Sequence, residues 1–304
     1  MQSKNSDTIR GIGLAFAATL SVALFIIPWK MATDHSSVED MVFILILCAA
    51  GFNVISQIFM SGIKSLIKKP NPTEIGLSLA LAALTIGGNV GSAKAAVYLS
   101  SAMVVTLMRV EIIVVAVLAF ILMGEKIGKV FWLGIMLAGV GFYIMQPESD
   151  TSGEWMLGSF WAFFSASSFA TMGVLTRKYI QKIDVGSVNS YRLWAALVLW
   201  GGFNGGMPNF AAISGNSIFL ICMAAFLGPV FSRLTYMNSA KYVEARISAL
   251  VVSSSPVFTL VFAMIILDSV PSAHEIIGGL ILMLGVCGTL FFDNSMKKPA
   301  VEVS

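Results

Sequence analysis

The chain has 304 residues, of which 57% are hydrophobic and 12% are charged, and its mean hydropathy is +0.86. Soluble domains carry about 25% charged residues, so this composition excludes a water-soluble globule and a disordered chain. The net charge of +3 offers no basic surface for nucleic acid. The sequence therefore predicts an integral membrane protein.

Charge-free apolar runs of about 20 residues predict helices that cross a bilayer core of about 30 Å. In chain order these runs are Gly11–Trp29, Met41–Ile63, Ile75–Ala93, Val130–Pro147, Trp155–Thr176, Ile247–Leu267 and Ile276–Phe292. Ala95–Gly124 forms another span although it contains Arg109 and Glu111. Val185–Met237 is too long for one helix, and its Gly/Asn/Pro-rich middle, Gly201–Ser217, divides it into two. We predict ten helices, the first of them an uncleaved helix rather than a signal peptide.

Basic residues predict the orientation, because Lys and Arg concentrate in cytoplasmic loops. With a cytoplasmic N-terminus, ten alternating helices leave only Lys30 and Lys94 in the outer segments. The outer loop Glu148–Glu154 is acidic instead. We expect a multi-pass protein of the cytoplasmic (inner) membrane with both termini in the cytoplasm.

The two halves of the chain resemble each other. A shift of 144 residues superposes the fourth and fifth helices on the ninth and tenth, with Tyr98 on Tyr242, Gly134 on Gly278 and Gly141 on Gly285. A shift of 147 places Ser21 on Ser168 in the first and sixth helices. Because five is odd, the second copy crosses the membrane in the opposite sense. We predict an all-α integral membrane fold of ten transmembrane helices in two inverted five-helix repeats, residues 1–147 and 148–304.

The cysteines and histidines form no recognisable site. Cys48, Cys222 and Cys287 lie inside apolar runs, and His35 and His274 stand apart without an HExxH or CxxC pattern. No P-loop is present either. We expect no metal, no cofactor and no ATP-driven step.

Arg109 and Glu111 are the leading candidates for a functional site. A charge at a helix centre costs about 2.5–3.5 kcal/mol, so such residues usually face a cavity or a partner. Two positions on a continuous helix differ by about 200°, so at least one of these side chains needs a partner on another helix. A structural ion pair and a substrate contact both remain open. The guanidinium fork favours a substrate with a carboxylate or phosphate.

Other candidates carry a structural alternative. Pro256 should kink the ninth helix, and the neighbouring Ser254 either contacts substrate or bonds its own helix. Arg192 either lines a cavity or extends to the membrane interface, and Trp194 is a candidate pocket aromatic. The glycine pairs are interpreted as close helix packing, and the polar residues Asn53, Gln57 and Asn89 as interhelical hydrogen-bonding groups.

The stretch AAVYLSSAMVV and the following LAFILMGEKIGKVFWLGIMLAGVGFYIM resemble the first repeat of the drug/metabolite transporter superfamily, EamA type. AKYVEARISALVVSSSPVF and LDSVPSAHEIIGGLILMLGV resemble its second repeat. The positions that match are Tyr98, Gly124, Glu125, Gly134 and Gly141, then Ala240, Tyr242, Pro256, Pro271, Gly278 and Gly285. The family's proline in the fourth helix falls on Ile112. By this resemblance Tyr98 becomes a candidate for substrate binding or gating.

The resemblance implies a secondary-active transporter that exports or exchanges a small metabolite, such as an amino acid or organic acid, by alternating access. Its partners would be that substrate and the lipid bilayer, with proton coupling through Glu111 as a further option. A multidrug or toxic-compound exporter of the same fold stays open as an alternative. A channel would need a filter motif, and an intramembrane enzyme would need a base or second carboxylate beside Glu111. We therefore expect neither of these two classes.

Overall fold

The computed structural model describes residues 2–62, 70–124, 128–146, 153–179, 183–204, 206–208, 210, 213–239, 242, 251–252, 254–268 and 270–292. Within these ranges every regular element is a helix. The helices are α1 (Gln2–Thr33), α2 (Val38–Ser61), α3 (Pro72–Tyr98), α4 (Ser101–Met108), α5 (Glu111–Met123), α6 (Lys129–Ile144), α7 (Glu154–Tyr179), α8 (Val185–Phe203), α9 (Gly215–Ala225), α10 (Arg233–Ser239), α11 (Ser255–Ile266) and α12 (Ala273–Phe292). A π-helical segment, Phe226–Ser232, joins α9 to α10.

Short polar side chains define the starts of many of these helices, because they accept the first unpaired backbone N–H groups. The capping residues are Ser37 on α2, Asn71 on α3, Ser100 on α4, Asp184 on α8 and Ser214 on α9. Asn71 forms a full capping box with Glu74, whose carboxylate also accepts the backbone N–H of Asp184 at 2.8 Å. That contact ties the start of α3 to the start of α8.

Among the residues that the structure describes, length and hydropathy identify five stretches of helix that can cross a membrane: Ile9–Thr33, Val38–Phe59, Pro72–Tyr98, Ser101–Leu122 and Gly215–Ser232. Shorter apolar helices cover Lys129–Ile144, Ser255–Ile266 and Ala273–Gly288. An all-helical membrane fold is therefore confirmed, while the count of ten spans stays a prediction. The Gly-rich segment of the sequence does separate two helices, because α8 ends at Phe203 and α9 begins at Gly215.

Glycines bring α6 and α12 into backbone contact. A Cβ atom on Gly141 would lie 2.6 Å from the carbonyl oxygen of Gly278, and one on Gly285 would lie 2.6 Å from that of Gly134. The earlier glycine of each helix thus meets the later glycine of the other, so the two helices are antiparallel. Equivalent elements of two repeats are antiparallel when the repeats are inverted. The interpretation of these glycines as helix packing is confirmed.

The first and sixth predicted helices also make equivalent contacts. On α1, Ser21 donates to the Leu227 carbonyl at 2.6 Å, and the Phe25 ring covers Gly228. On α7, Ser165 donates to the Gly88 carbonyl at 2.7 Å, and the Phe169 ring covers the same glycine. Ser21 therefore corresponds to Ser165, at an offset of 144 residues. The offset of 147 that paired Ser21 with Ser168 is wrong for these contacts. The offset of 144 therefore relates the first and sixth predicted helices as well as the fourth and fifth to the ninth and tenth.

The fourth and ninth predicted helices are interrupted at equivalent positions. Residues 109 and 110 form a turn between α4 and α5, and residue 254 lies in a turn just before α11. α5 begins at Glu111 and α11 at Ser255, again 144 residues apart. The first interruption occurs without a proline, because Ile112 stands where the second repeat has Pro256.

Candidate functional site

The turn between α4 and α5 places both charged candidates at a helix break. The backbone N–H of Arg109 donates to the Thr106 carbonyl at 3.1 Å, and that of Val110 donates to the Leu107 carbonyl at 3.1 Å. These three-residue bonds tighten the last turn of α4. Arg109 is therefore the C-cap of α4, and Glu111 is the first residue of α5. The rotation expected for one continuous helix does not apply to this pair.

Arg109 and Glu111 interact with each other and with residues from distant parts of the chain. The Arg109 guanidinium lies in the electrostatic field of the Glu111 carboxylate and near the Cys287 thiol of α12. The Glu111 carboxylate in turn acts on the Tyr236 hydroxyl of α10. The break thus combines a cation, an anion and a phenol from three helical segments. We refer to Arg109, Glu111, Tyr236 and Cys287 as the central cluster.

The geometry of Arg109 leaves part of its donor set available for a ligand. Its Nε donates to the Val105 carbonyl at a long 3.4 Å, one turn back along α4. The side chain is half-buried. Guanidinium nitrogens in such a setting can bind a carboxylate or phosphate with two parallel hydrogen bonds. Glu111 stands at the start of α5, where the helix dipole favours a negative charge.

Arg192 belongs to a separate polar network between α8, α7 and α2. It is 4% exposed, and it donates to the Met172 sulfur at 2.9 Å and to the Asn189 Oδ1 at 2.8 Å. Asn189 donates to the Asn53 Oδ1 at 2.6 Å, and Asn53 donates to the Ser190 hydroxyl at 2.7 Å. Arg192 therefore does not extend to the membrane interface. Its side chain is held inside the bundle by hydrogen bonds.

The uncharged polar candidates follow two patterns. Gln57 donates to the Gly186 carbonyl at 2.6 Å, so Asn53 and Gln57 both link α2 to α8. Their interpretation as interhelical hydrogen-bonding groups is confirmed. Asn89 differs, because it donates to the Thr85 carbonyl of its own helix at 2.7 Å. The prediction for Asn89 was wrong in this respect.

The aromatic candidates have described contacts with residues outside the central cluster, or none. Tyr98 ends α3 and, with Leu99, packs directly against Gly158 of α7. Trp194 lies on α8 with 45% of its surface exposed. Trp161, another aromatic of the sequence, has the Lys94 ammonium 4.3 Å from its ring centroid. Neither Tyr98 nor Trp194 is placed beside Arg109 by a described contact.

The ninth predicted helix differs from the expected kink. Pro256 lies in the first turn of α11. This position tolerates proline because a backbone N–H there would have no carbonyl partner within the helix. The helix is therefore interrupted before Pro256, rather than bent at it. Ser254 donates to the Val251 carbonyl at 2.6 Å, which is the self-bonding alternative. The side chains of Ser253 and Arg233 lie outside the described part of the structure.

Sequence reasoning did not find five of the residues that these contacts bring together. Tyr236 and Cys287 join the central cluster, and Cys48 of α2 lies with its sulfur 2.8 Å from that of Cys222 on α9. Glu74 is 4% exposed and links two helix starts. Apart from the capping box of Glu74 with Asn71, no sequence signal pairs these residues, because the other partners lie more than a hundred positions apart.

Comparison with known proteins decides the family. The sequence profile of the EamA-like transporter family matches residues 9–146 and again residues 156–291. The chain belongs to the EamA-like transporter family. This EamA-like protein therefore contains two repeats of a family of transporters, as the sequence resemblance indicated.

Two individual proteins are similar to this EamA-like transporter. One is the Uncharacterized transporter YdfC of Bacillus subtilis (strain 168), which is 24% identical over 187 residues. That match spans 60% of this chain and 60% of the relative. The other is a protein of known crystal structure, with 16% identity, a TM-score of 0.61, and coverage of 94% of this chain and 97% of that chain. The second similarity concerns the fold alone.

Proposed function

We propose that this EamA-like transporter is a secondary-active carrier of a small metabolite with an anionic group, such as an amino acid or organic acid. In this proposal it exports or exchanges the substrate across the cytoplasmic membrane by alternating access. The observation that carries the proposal is the position of Arg109 at a helix break, where it interacts electrostatically with Glu111 and Cys287 while Glu111 also interacts with Tyr236. A charge held at such a break is costly unless it serves a partner or a ligand.

The chemistry of the central cluster favours an anionic substrate. Glu111 balances Arg109 in the absence of substrate, and a substrate carboxylate would take over that role when it binds the guanidinium. Glu111 would then be free to accept a proton, which provides a route to proton coupling. The Tyr236 hydroxyl can donate to either carboxylate. Each step uses groups that already interact across α4, α5 and α10.

Inverted repeats support the alternating-access part of the proposal. The antiparallel contact of α6 and α12 and the equivalent breaks before α5 and α11 give the two halves similar structures in opposite senses. Two such halves can exchange conformations and open a shared site to either side in turn. Both breaks provide positions where a helix can bend without losing a further hydrogen bond.

Substrate counterflow in proteoliposomes tests the proposed function. Vesicles loaded with single amino acids or organic acids should accumulate the labelled form of the true substrate, and saturably so. Arg109→Lys keeps the charge but loses the two-pronged geometry, so KM should rise about tenfold or more with normal folding. Lys94→Gln serves as the control that removes a cation at another place. Unaltered kinetics in Arg109→Lys and Arg109→Ala would refute the role of Arg109, and efflux of bulky apolar compounds alone would favour the multidrug alternative.

The proposed orientation places both termini and the inner loops in the cytoplasm of an inner membrane. Lys30 of α1 donates to the Ala96 carbonyl in the last turn of α3, which supports a common side for the ends of these two helices. Cysteines introduced at Ser149 and Ser295 provide the test. An impermeant thiol reagent should label the first but not the second in intact cells, and equal labelling would overturn this topology.

A further inference from the structure

The break in front of α11 gathers backbone and hydroxyl oxygens in the interior of the protein. The Val251 carbonyl accepts the backbone N–H of Ser254 at 3.1 Å and the Ser254 hydroxyl at 2.6 Å. From α1, the Thr19 hydroxyl lies 3.1 Å from the same carbonyl oxygen. Thr19 is fully buried, at 0% exposure. The hydroxyls of Thr19 and Ser254 therefore both lie close to the Val251 carbonyl oxygen.

The Thr19 hydroxyl lies within hydrogen-bonding distance of two carbonyl oxygens, those of Ala15 and Val251. Thr19 has a single hydroxyl proton, and the Ala15 carbonyl at 2.8 Å is its nearer acceptor. When that proton points to Ala15, the Thr19 and Val251 oxygens face each other without a proton between them. Two oxygens in this arrangement repel one another unless a positive group contacts both of them.

The hydroxyl of Ser255 adds an unsatisfied oxygen to the same seam. It is 0% exposed and has no hydrogen-bond partner among the described residues. Thr259, one helical turn later, bonds the Ala23 carbonyl of α1 at 3.4 Å, and Ala23 itself is one turn after Thr19. Ser255 thus lies on the face of α11 that packs on α1, at the level between Thr19 and Ala23. A buried hydroxyl without a partner costs about 1–3 kcal/mol, so a native site usually supplies one.

The first repeat fills the equivalent break with charges of its own. Glu111 stands at the position of Ser255, and Arg109 at the position of the residue before Ser254. There the Arg109 guanidinium donates to a carbonyl at the end of α4, so a tethered cation serves the carbonyl end of the broken helix. The second repeat has uncharged serines, Ser253 and Ser255, at these two positions. A mobile cation would complete the symmetry of the two breaks.

The start of α11 is poorly suited to an anion. Pro256 has no N–H, and the N–H of Val257 is already bonded to the Ser254 carbonyl at 3.1 Å. The usual donors of an anion site at a helix start are therefore absent or in use at these two positions. Carbonyl and hydroxyl oxygens are ligands for hard cations, and a set without carboxylates suits a single positive charge better than a double one.

We infer that Thr19 Oγ1, the Val251 carbonyl, Ser254 Oγ and Ser255 Oγ form a binding site for a small monovalent cation, Na⁺. The ion would close the seam between α1 and α11 at the break of the second repeat. This inference rests on the proposed function in one respect: under that function the bound Na⁺ acts as a coupling ion of secondary transport, in addition to the proton that Glu111 would accept. Its binding is independent of which metabolite is carried.

Thermal unfolding of the purified full-length protein in equal concentrations of NaCl, KCl and choline chloride tests the site. Na⁺ should raise Tm in a saturable way, because a ligand that binds only the folded state stabilises it by mass action. Thr19→Val and Ser255→Ala should raise the half-saturating Na⁺ concentration at least tenfold. Thr259→Val is the matched control, since it removes a buried hydroxyl from the same seam one turn away, and it should keep the wild-type response.

Ser255→Ala protects the test against simple misfolding. It removes a hydroxyl that has no described partner, so in choline chloride its Tm should equal or exceed that of the wild type. An identical wild-type Tm in the three salts would overturn the inference, as would a full Na⁺ response in both Thr19→Val and Ser255→Ala. Counterflow with no Na⁺ response refutes this site alone, whereas a Na⁺ response without any counterflow refutes the proposed function alone.

Discussion

The glycine contact between α6 and α12 predicts a large effect from a single methyl group. In Gly141→Ala, the new Cβ would lie 2.6 Å from the Gly278 carbonyl oxygen and 2.8 Å from the Leu282 Cα. Both are backbone atoms of α12, which no side-chain rotation can move away. Ordinary contact begins near 3.4 Å. The two helices must therefore move apart by about 1 Å where they meet, and both lose packing contacts as a result.

The expected cost follows from two opposing effects. Overpacking of a tight contact costs about 1–3 kcal/mol, while alanine gains about 1 kcal/mol over glycine in helix propensity. Because the obstacle is backbone, we take the upper part of the packing range, about 2–3 kcal/mol, and expect a net loss of about 1–2 kcal/mol. For a chain of this length that loss corresponds to a decrease in Tm of roughly 2–8 °C.

Gly139→Ala provides the matched control on the same helix. A Cβ at Gly139 would have no atom within 4 Å, so only the helix propensity changes and Tm should stay equal or rise. Thermal unfolding of both variants in the same detergent measures the difference. Gly278→Ala acts on the contact from the other side, so the double variant with Gly141→Ala should lose less than the two single losses added. Equal Tm values for the Gly141 and Gly139 variants would refute this account of the interface.

Three further substitutions test other contacts. Glu74→Ala removes the carboxylate that accepts the Asp184 N–H, so Tm should fall by an amount that corresponds to about 1–2 kcal/mol of stability. Glu74→Gln keeps an acceptor oxygen and should lose much less, and equal Tm values for the two variants would contradict the capping role. Asn53→Ala removes two hydrogen bonds worth about 0.6 kcal/mol each in membranes, and an unchanged Tm would contradict that network. Pro256→Ala should keep counterflow turnover within about twofold, because Ile112 shows that the equivalent break needs no proline, and a loss of turnover would restore the proline hinge.

Much of the fold follows from the sequence because the bilayer imposes local rules. Apolar runs of fixed length predict helices, and breaks in those runs predict loops, as at the Gly-rich segment between α8 and α9. The small residues Gly141 and Gly278 predict a close helix contact, since only a missing side chain lets backbones touch. The family repeats were visible for the same reason, because each repeat must place its glycines at the same register.

The tertiary structure alone decided how the polar residues are paired. Arg109 is the C-cap of α4, and the turn that ends this helix is not marked by a glycine or proline in the sequence. Arg192 bonds Asn189 inside the bundle, whereas its position near a helix end had also allowed an interfacial role. Thr19 and Val251 meet across 232 positions of the chain. Such partners are selected by the packing of whole helices, and local patterns of charge and hydropathy carry no information about which helix a polar group will face.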